Sequence, residues 1–286
     1  MASSSPNNAW ASAGMSSAFT VACVQNCAED DVPRNIDEAA RLVRRAAAAG
    51  AQLICLPENF SCLEERDELY LVRACREEDH PALPVFSALA RELDVHLVLG
   101  SLTIRLDTGK VHNRSYLVGS DGAILARYNK IHLFDVQLRE GEMYRESATV
   151  EPGTHCTLAS LPWGQLGMTV CYDVRFPHLY RALAQQGADF LAVPAAFTAT
   201  TGEAHWHVLL RARAIETGCY VFAPGQCGRR RWGRRTYGHS LVIDPWGAVL
   251  ADAGDEPGFV LAQVEPARVA EARAMIPSLR HDRPLG

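Results

Sequence analysis

The chain has 286 residues, of which 48% are hydrophobic and 21% charged, and its formal net charge is −5. This composition is typical of a globular protein and differs from that of disordered or fibrous chains. The acidic balance provides no overall basic field for nucleic acid or an anionic membrane surface. The longest apolar runs, such as residues 190–197, are too short to span a bilayer.

The first eighteen residues are rich in Ser, Ala and Asn and contain neither Lys nor Arg. Secretory signals and mitochondrial presequences both need basic residues, so segment 1–18 is predicted to be a disordered leader. Nine cysteines, an odd number, are scattered through the chain. Without a secretory signal, this pattern indicates reduced thiols and a cytoplasmic location.

From residue 19 onward, apolar β-prone runs alternate with stretches of helical periodicity. Residues 19–25, 51–57 and 95–102 are predicted strands, separated by helical stretches that begin near residues 33 and 85. Hairpins follow, with turns at 107–109 and 119–122, and then a loop at 131–153. Strand–helix units return before a last helix near 266–275. The pattern predicts an α/β fold of two sheets covered by helices, in a single domain over 19–286.

Three chemically reactive residues stand at the ends of predicted strands. Cys171 ends a β-prone run just before a helical stretch, Glu58 ends the second strand, and Lys130 follows the strand AILARYN. Open sheets covered by helices place their ligand sites at the C-terminal ends of strands. A thiol at a helix start lies beside N–H dipoles that favour a thiolate and can receive an oxyanion. Cys171 alone could equally be a buried structural thiol, but the three residues together favour an active site.

The blocks LPENF (56–60), YNKIHLF (128–134) and VCYDVRFP (170–177) resemble the three signature blocks of the nitrilase, or carbon–nitrogen hydrolase, superfamily. The resemblance extends from residue 19 to the C-terminus. It implies a four-layer α-β-β-α sandwich fold and an enzyme that needs no metal or organic cofactor. It also implies assembly into a homodimer or a larger homo-oligomer.

The same resemblance implies the roles of the catalytic residues. Cys171 would attack the amide carbonyl and form a thioester, and Glu58 would be the general base. Lys130 and the backbone N–H of Tyr172 would hold the oxyanion. A second glutamate of the family orients the lysine or the substrate, and Glu146 is the candidate for that position. Two neighbours, Glu140 and Glu142, compete with it.

The segments at 196–216, 226–230, 237–240 and 244–247 resemble the branch that contains deaminated-glutathione amidase and omega-amidase. This implies a substrate with a terminal amide, an α-keto group and a carboxylate. Deaminated glutathione is favoured, with α-ketoglutaramate or an N-carbamoyl compound as alternatives. Arg175 would hold the carboxylate, since its planar fork can bind both oxygens, although a salt bridge at a helix start is an alternative role. Phe197 and Thr198 would line the pocket.

Other functions fit the sequence less well. A papain-like enzyme would need a histidine base beside Cys171, and a catalytically silent scaffold would have no need for the three reactive residues together. Glu203, His205 and His207 are poorly spaced for a helical metal site, so no metal is expected. The run RRRWGRR (229–235) is confined to one loop of an acidic chain, which favours a solvated loop or one rim of an anionic-substrate pocket over a nucleic-acid surface.

Overall fold

A computed structural model describes residues 17–138 and 143–283 of the chain. Residues 1–16 of the predicted leader and the two alternative glutamates Glu140 and Glu142 lie outside these ranges. Within them, no helix is both long and apolar enough to cross a membrane.

The first sheet has six strands in the order β14-β1-β2-β3-β4-β5. Its central strands β1, β2 and β3 are parallel, and the remaining pairings are antiparallel. The strands are β1 (Phe19–Gln25), β2 (Leu53–Cys55), β3 (His96–Arg105), β4 (Val111–Val118), β5 (Ile124–Asn129) and β14 (Gly258–Val264). The segments between them form the helices α1 (Val32–Ala48), α2 (Asp67–Arg73) and α3 (Ala82–Leu93).

The second sheet also has six strands, in the order β13-β12-β11-β10-β9-β8. Strands β9, β10 and β11 are parallel to one another and form its centre. The strands are β8 (Thr157–Leu161), β9 (Gly164–Met168), β10 (Phe190–Ala192), β11 (Tyr220–Ala223), β12 (Leu241–Ile243) and β13 (Val249–Asp252). The helices of this half are α4 (Pro177–Gln185), α5 (Ala199–Thr217) and α6 (Ala267–Met275).

The two faces of β1 show how the layers are stacked. Val21 and Cys23 are buried in a core shared with the second sheet, α4 and α5. Ala22 and Val24 are buried on the opposite face, in a core shared with α1 and α3. Side chains alternate between the faces of a strand, so a strand covered on both sides reads as a continuous apolar run. This stacking of helix, sheet, sheet and helix confirms the predicted α/β sandwich.

Two segments differ from the sequence prediction. The loop predicted at 131–153 contains a short antiparallel ribbon formed by β6 (Asp135–Gln137) and β7 (Met143–Arg145). Helix α2 was not predicted because only Tyr70 of its seven residues is buried, which leaves no apolar periodicity to detect. The ribbon has the same cause, since three-residue strands are too short to show an alternating pattern. Both segments border the pocket described below.

Candidate active site

The reactive residues predicted from the sequence converge on one pocket. Glu58, Lys130, Glu146 and Cys171 all line it, and it encloses about 730 Å³ of empty space including its open mouth. Pockets of this size are typical of small-molecule sites. Glu58 and Lys130 come from the first sheet and Cys171 from the second, so the pocket lies where the strand ends of the two sheets meet. Further lining residues are Asn59, Asp67, Tyr70, Asn113, Phe134, Tyr144, Tyr172, Phe197, Thr198 and Arg234.

Cys171 sits in a tight turn between strand β9 and helix α4. Its φ angle is +48°, in the left-handed region that residues other than glycine rarely adopt. The turn is fixed to the neighbouring strand, since Cys171 N–H donates to the Pro194 carbonyl (2.8 Å) and the Thr169 hydroxyl to the Ala192 carbonyl (2.7 Å). Cys171 is only 8% exposed. It lies in the wall of the pocket instead of on the surface.

Glu58 follows β2 and is held on both carboxylate oxygens. Oε1 accepts hydrogen bonds from Lys130 Nζ (3.0 Å) and Asn113 Nδ2 (2.9 Å). Oε2 accepts one from the Ala196 N–H (2.8 Å), which belongs to the second sheet's half of the molecule. The Cys171 thiol lies close enough to this carboxylate to lower the pKa of Glu58. The carboxylate therefore has a fixed position beside the sulfur.

Lys130 is shared between two glutamates. Its ammonium lies 3.0 Å from Glu58 Oε1 and 2.9 Å from Glu146 Oε2, and the lysine is only 2% exposed. Glu146 also accepts a hydrogen bond from the Phe134 N–H (2.6 Å). Of the three glutamates considered for the second acidic position, Glu146 is thus the one that the described residues place against Lys130.

Asn113 is a site residue that sequence reasoning missed. Its amide nitrogen donates to Glu58 Oε1 (2.9 Å) and to Glu146 Oε1 (3.3 Å), so it connects the two carboxylates. Its Oδ1 is buried without a hydrogen-bond partner among the described residues. Asn113 lies in the middle of β4, where the alternating pattern indicated only a strand, and nothing in the sequence marked it as a member of the site.

The electrostatics of the site keep the carboxylate charged and the thiol neutral. Burial raises the pKa of Glu58, but the charge of Lys130 and the hydrogen bonds from Cys171 and Lys130 outweigh burial and lower it below its usual value. Burial and the charge of Glu58 raise the pKa of the Cys171 thiol, against the opposing effect of Lys130. Contrary to the expectation of a stabilised thiolate, the resting pair is Glu58 carboxylate and Cys171 thiol. The base is therefore ready to accept the proton that the nucleophile must lose.

Asp173 stabilises the turn that carries the nucleophile. Its fully buried carboxylate accepts hydrogen bonds from the Tyr128 hydroxyl (2.7 Å), the His132 N–H (3.0 Å) and the Val170 N–H (2.8 Å). Tyr128 belongs to β5 and Val170 directly precedes Cys171. The carboxylate thus connects the segment that carries Lys130 to the segment that carries the nucleophile.

Three of the four predicted substrate-binding residues line the pocket. Tyr172, Phe197 and Thr198 line the pocket, but Arg175 does not. The Arg175 guanidinium lies over the Tyr172 ring (5.8 Å) and the Phe197 ring (5.2 Å), on the far side of the aromatic wall. Arg234, which belongs to the run at 229–235, lines the pocket instead.

No histidine lines the pocket within the described residues. His132 Nδ1 contacts the Asp173 carboxylate at 2.7 Å, and His205 Nδ1 lies 3.3 Å from the Arg175 guanidinium. His207 lies apart from His205 and is grouped with His239 and Asp252, where both imidazoles contact the Asp252 carboxylate at 2.9–3.1 Å. The pocket therefore offers Glu58, rather than a histidine, as the base nearest to the thiol.

Comparison with known proteins agrees with this geometry. The family model described as carbon–nitrogen hydrolase matches residues 20–274. The chain belongs to this family. A curated relative from Synechocystis named deaminated glutathione amidase is 43% identical over 268 residues, which cover 92% of this chain and 97% of that protein. As a member of this family with such relatives, the chain is an amidase that hydrolyses carbon–nitrogen bonds.

Solved structures of other carbon–nitrogen hydrolases share the fold. The NitFhit protein of Caenorhabditis elegans has a TM-score of 0.88 at 34% identity, covering 94% of this chain and 66% of that longer one. Saccharomyces cerevisiae Nit3, a member of branch 10 of the nitrilase superfamily, has a TM-score of 0.85 at 29% identity, covering 94% and 98%. A mutant amidase from Nesterenkonia sp. AN1 has a TM-score of 0.77 at 29% identity, covering 90% and 95%. In that structure, the acetamide moiety of fluoroacetamide is added covalently to the active-site cysteine.

Proposed function

We propose that this enzyme hydrolyses the amide of deaminated glutathione, a linear α-keto carboxylate, through a thioester on Cys171. The convergence of Glu58, Lys130 and Cys171 on one pocket carries the proposal, because these groups supply a base, a cation and a nucleophile to one carbonyl. The name of the relative from Synechocystis supports the choice of substrate.

In the first half of the reaction, Cys171 Sγ attacks the amide carbonyl while Glu58 accepts the thiol proton. The raised pKa of the thiol means that this transfer accompanies attack instead of preceding it. The oxyanion forms beside the Lys130 ammonium and the Tyr172 N–H, which lies in the first turn of a 3-10 helix where N–H groups lack helical partners. Glu58 then gives its proton to the departing amine as the carbon–nitrogen bond breaks, which leaves the thioester.

In the second half, water replaces the amine. Glu58, again ionised, takes a proton from the water as its oxygen attacks the thioester carbonyl. The same two donors hold the second oxyanion. Collapse of this intermediate breaks the carbon–sulfur bond, and the proton on Glu58 returns to the sulfur, so the acid product leaves and the resting pair is restored.

Glu146 and Asn113 act through Lys130 and Glu58 in this proposal. Glu146 accepts a hydrogen bond from the Lys130 ammonium at 2.9 Å, which fixes the ammonium between Glu146 and Glu58. Asn113 fixes the separation of the two carboxylates by donating to both. Such supporting residues preserve the position of catalytic groups to within a fraction of an ångström, on which rates depend strongly.

The experiment that tests the substrate compares kcat/KM for deaminated glutathione and α-ketoglutaramate in the wild-type enzyme, with Cys171→Ala as the blank. A clear preference for deaminated glutathione is expected. An equal or reversed ratio would replace this substrate by α-ketoglutaramate and leave the amidase intact. Turnover of N-carbamoyl compounds alone would also overturn the choice. Release of no amine or ammonia from any amide tested would favour the alternative of a catalytically silent scaffold.

The proposal includes a homodimer or larger homo-oligomer in the cytoplasm. All nine cysteines are free, which suits a reducing compartment. Exposed apolar side chains on α5, on α6 and in the β12–β13 turn are available to an interface between copies of the chain. They include Val208, Ile215, Trp246 and Met275. Sedimentation of the purified enzyme tests the assembly.

A further inference from the structure

The arginine-rich loop at 229–235 is anchored to the body of the enzyme. Arg230 is only 2% exposed, and its guanidinium donates to the carbonyls of Ala28 (2.9 Å) and Cys227 (2.6 Å) and to the Thr236 hydroxyl (2.7 Å). At the other end of the loop, the Arg235 carbonyl accepts a hydrogen bond from the Ala199 N–H, at the start of α5. The backbone of the loop is thus fixed on both sides of Arg234.

The Arg234 side chain points into the pocket from this anchored backbone. It lines the pocket together with the catalytic residues, and its guanidinium lies 5.4 Å from the centre of the Tyr144 ring. Its Nε is buried but has no hydrogen-bond partner in the described part of the chain. A buried guanidinium N–H without an acceptor is costly, which makes it a site for an anionic ligand.

The charges around the pocket point to the same residue. Three carboxylates line it, from Glu58, Asp67 and Glu146, against two cations, Lys130 and Arg234. Lys130 is already engaged by two of these carboxylates. Within residues 17–138 and 143–283, Arg234 forms no ion pair with a carboxylate within 4.0 Å. Arg234 is therefore the pocket cation that is available to a ligand.

We propose that Arg234 forms a subsite that binds a carboxylate of the substrate, the role that the sequence had suggested for Arg175. The planar guanidinium can donate two parallel hydrogen bonds to the carboxylate, and the Tyr144 ring holds it in place. This inference rests on the proposed function, because it assumes that the amide substrate is anionic. Deaminated glutathione has two carboxylates, one on the α-keto acid and one on the terminal glycine, and either could occupy the subsite.

The experiment compares Arg234→Gln with Arg235→Gln, a matched control in the same loop whose exposed side chain does not line the pocket. Values of kcat and KM are measured for deaminated glutathione, its glycine carboxamide, α-ketoglutaramate and the neutral amide butyramide. Binding of deaminated glutathione is measured by calorimetry in a Cys171→Ala background. Arg234→Lys, which keeps the charge but loses the fork, completes the series.

For Arg234→Gln we expect KM and the dissociation constant for deaminated glutathione to rise about 10- to 100-fold, with kcat changed much less. Arg234→Lys should give an intermediate loss, and Arg235→Gln and all butyramide values should match wild type. A parallel loss with α-ketoglutaramate would assign the subsite to the α-keto acid carboxylate. If Arg234→Gln weakens binding of deaminated glutathione but not of α-ketoglutaramate or the glycine carboxamide, the subsite is assigned to the glycine carboxylate.

Wild-type affinity in Arg234→Gln, or an equal loss in Arg235→Gln or with butyramide, would overturn the inference and leave the proposed function standing. Failure of the wild-type enzyme to bind or hydrolyse both anionic amides would contradict the proposed function and the inference together. The two failures are therefore distinguishable by the behaviour of the wild-type enzyme.

Discussion

Replacing Glu58 by Gln tests whether this carboxylate is the base. The substitution keeps the shape of the side chain but removes its charge and its ability to accept a proton. Glu58 Oε1 faces the Lys130 ammonium at 3.0 Å and Oε2 faces the Ala196 N–H at 2.8 Å, so the new NH₂ group must face a donor in either orientation. This conflict should lower the free energy of unfolding by about 1–3 kcal/mol.

The expected loss of activity is much larger than this structural effect. General bases contribute about 100- to 10,000-fold to rate. The Cys171 thiol has a raised pKa, so almost no thiolate is present at neutral pH to compensate for a missing base. We therefore expect kcat/KM of Glu58→Gln to fall about 1000-fold or more.

Amine release from deaminated glutathione is the assay, with thermal unfolding to verify that the variant is folded. Glu64→Gln is the matched control, since Glu64 is also buried but pairs with Arg73 and does not line the catalytic pocket. It should retain wild-type kcat/KM. If a folded Glu58→Gln enzyme keeps more than about a tenth of wild-type kcat/KM, its base is another group, as in a cysteine–histidine enzyme.

Three further predictions concern the supports of the site. A Cβ at Gly100 would lie 2.0–2.3 Å from the backbone carbonyl oxygens of the two residues before Glu58. Gly100→Ala should therefore lower both kcat/KM and the midpoint of urea unfolding. Gly258→Ala is the control and should change neither, because a Cβ there would meet open space. Asp173→Ala leaves buried donors unpaired and should cost about 3 kcal/mol in urea unfolding, and a loss below about 1 kcal/mol would contradict its bracing role. Burial, with the charge of Glu58, raises the pKa of Glu146 above its usual 4.5, while Lys130 and hydrogen bonds outweigh burial and lower that of Glu58 below 4.5. Because two neighbouring negative charges raise each other's pKa, Glu146→Gln should lower the pKa of Glu58 and move the acid limb of kcat/KM to lower pH, and an unchanged or higher limb would contradict this coupling.

The parts of the site that could be predicted are those marked by residue type and local context. Glu58, Lys130 and Cys171 were identifiable because each follows a β-prone run, and because their flanking blocks resemble one family. The strands and helices that carry them have clear periodicity, so the α/β sandwich was predictable as well. Their contact across two sheets could be expected from the family alone, since the chain separates them widely.

The remaining parts depend on tertiary packing that no local pattern records. Asn113 reaches the two glutamates because β4 lies beside β5, and an asparagine within a strand has no distinguishing signal. Arg175 is four residues from the nucleophile, but the 3-10 turn directs it behind Tyr172. Arg234 lines the pocket from a loop that buried Arg230 anchors to the body of the enzyme. The pKa of Cys171 follows from burial, which the sequence could not supply.

The most direct test of the thioester mechanism is to identify the residue that carries the acyl group. Deaminated glutathione is mixed with the wild-type enzyme, the reaction is quenched in acid within milliseconds, and the peptides are mapped by mass spectrometry. We expect the mass of an α-keto acyl group on the peptide that contains Cys171, and neither adduct nor turnover in Cys171→Ala. An adduct on one of the other eight cysteines, or hydrolysis by Cys171→Ala at the wild-type rate, would contradict it.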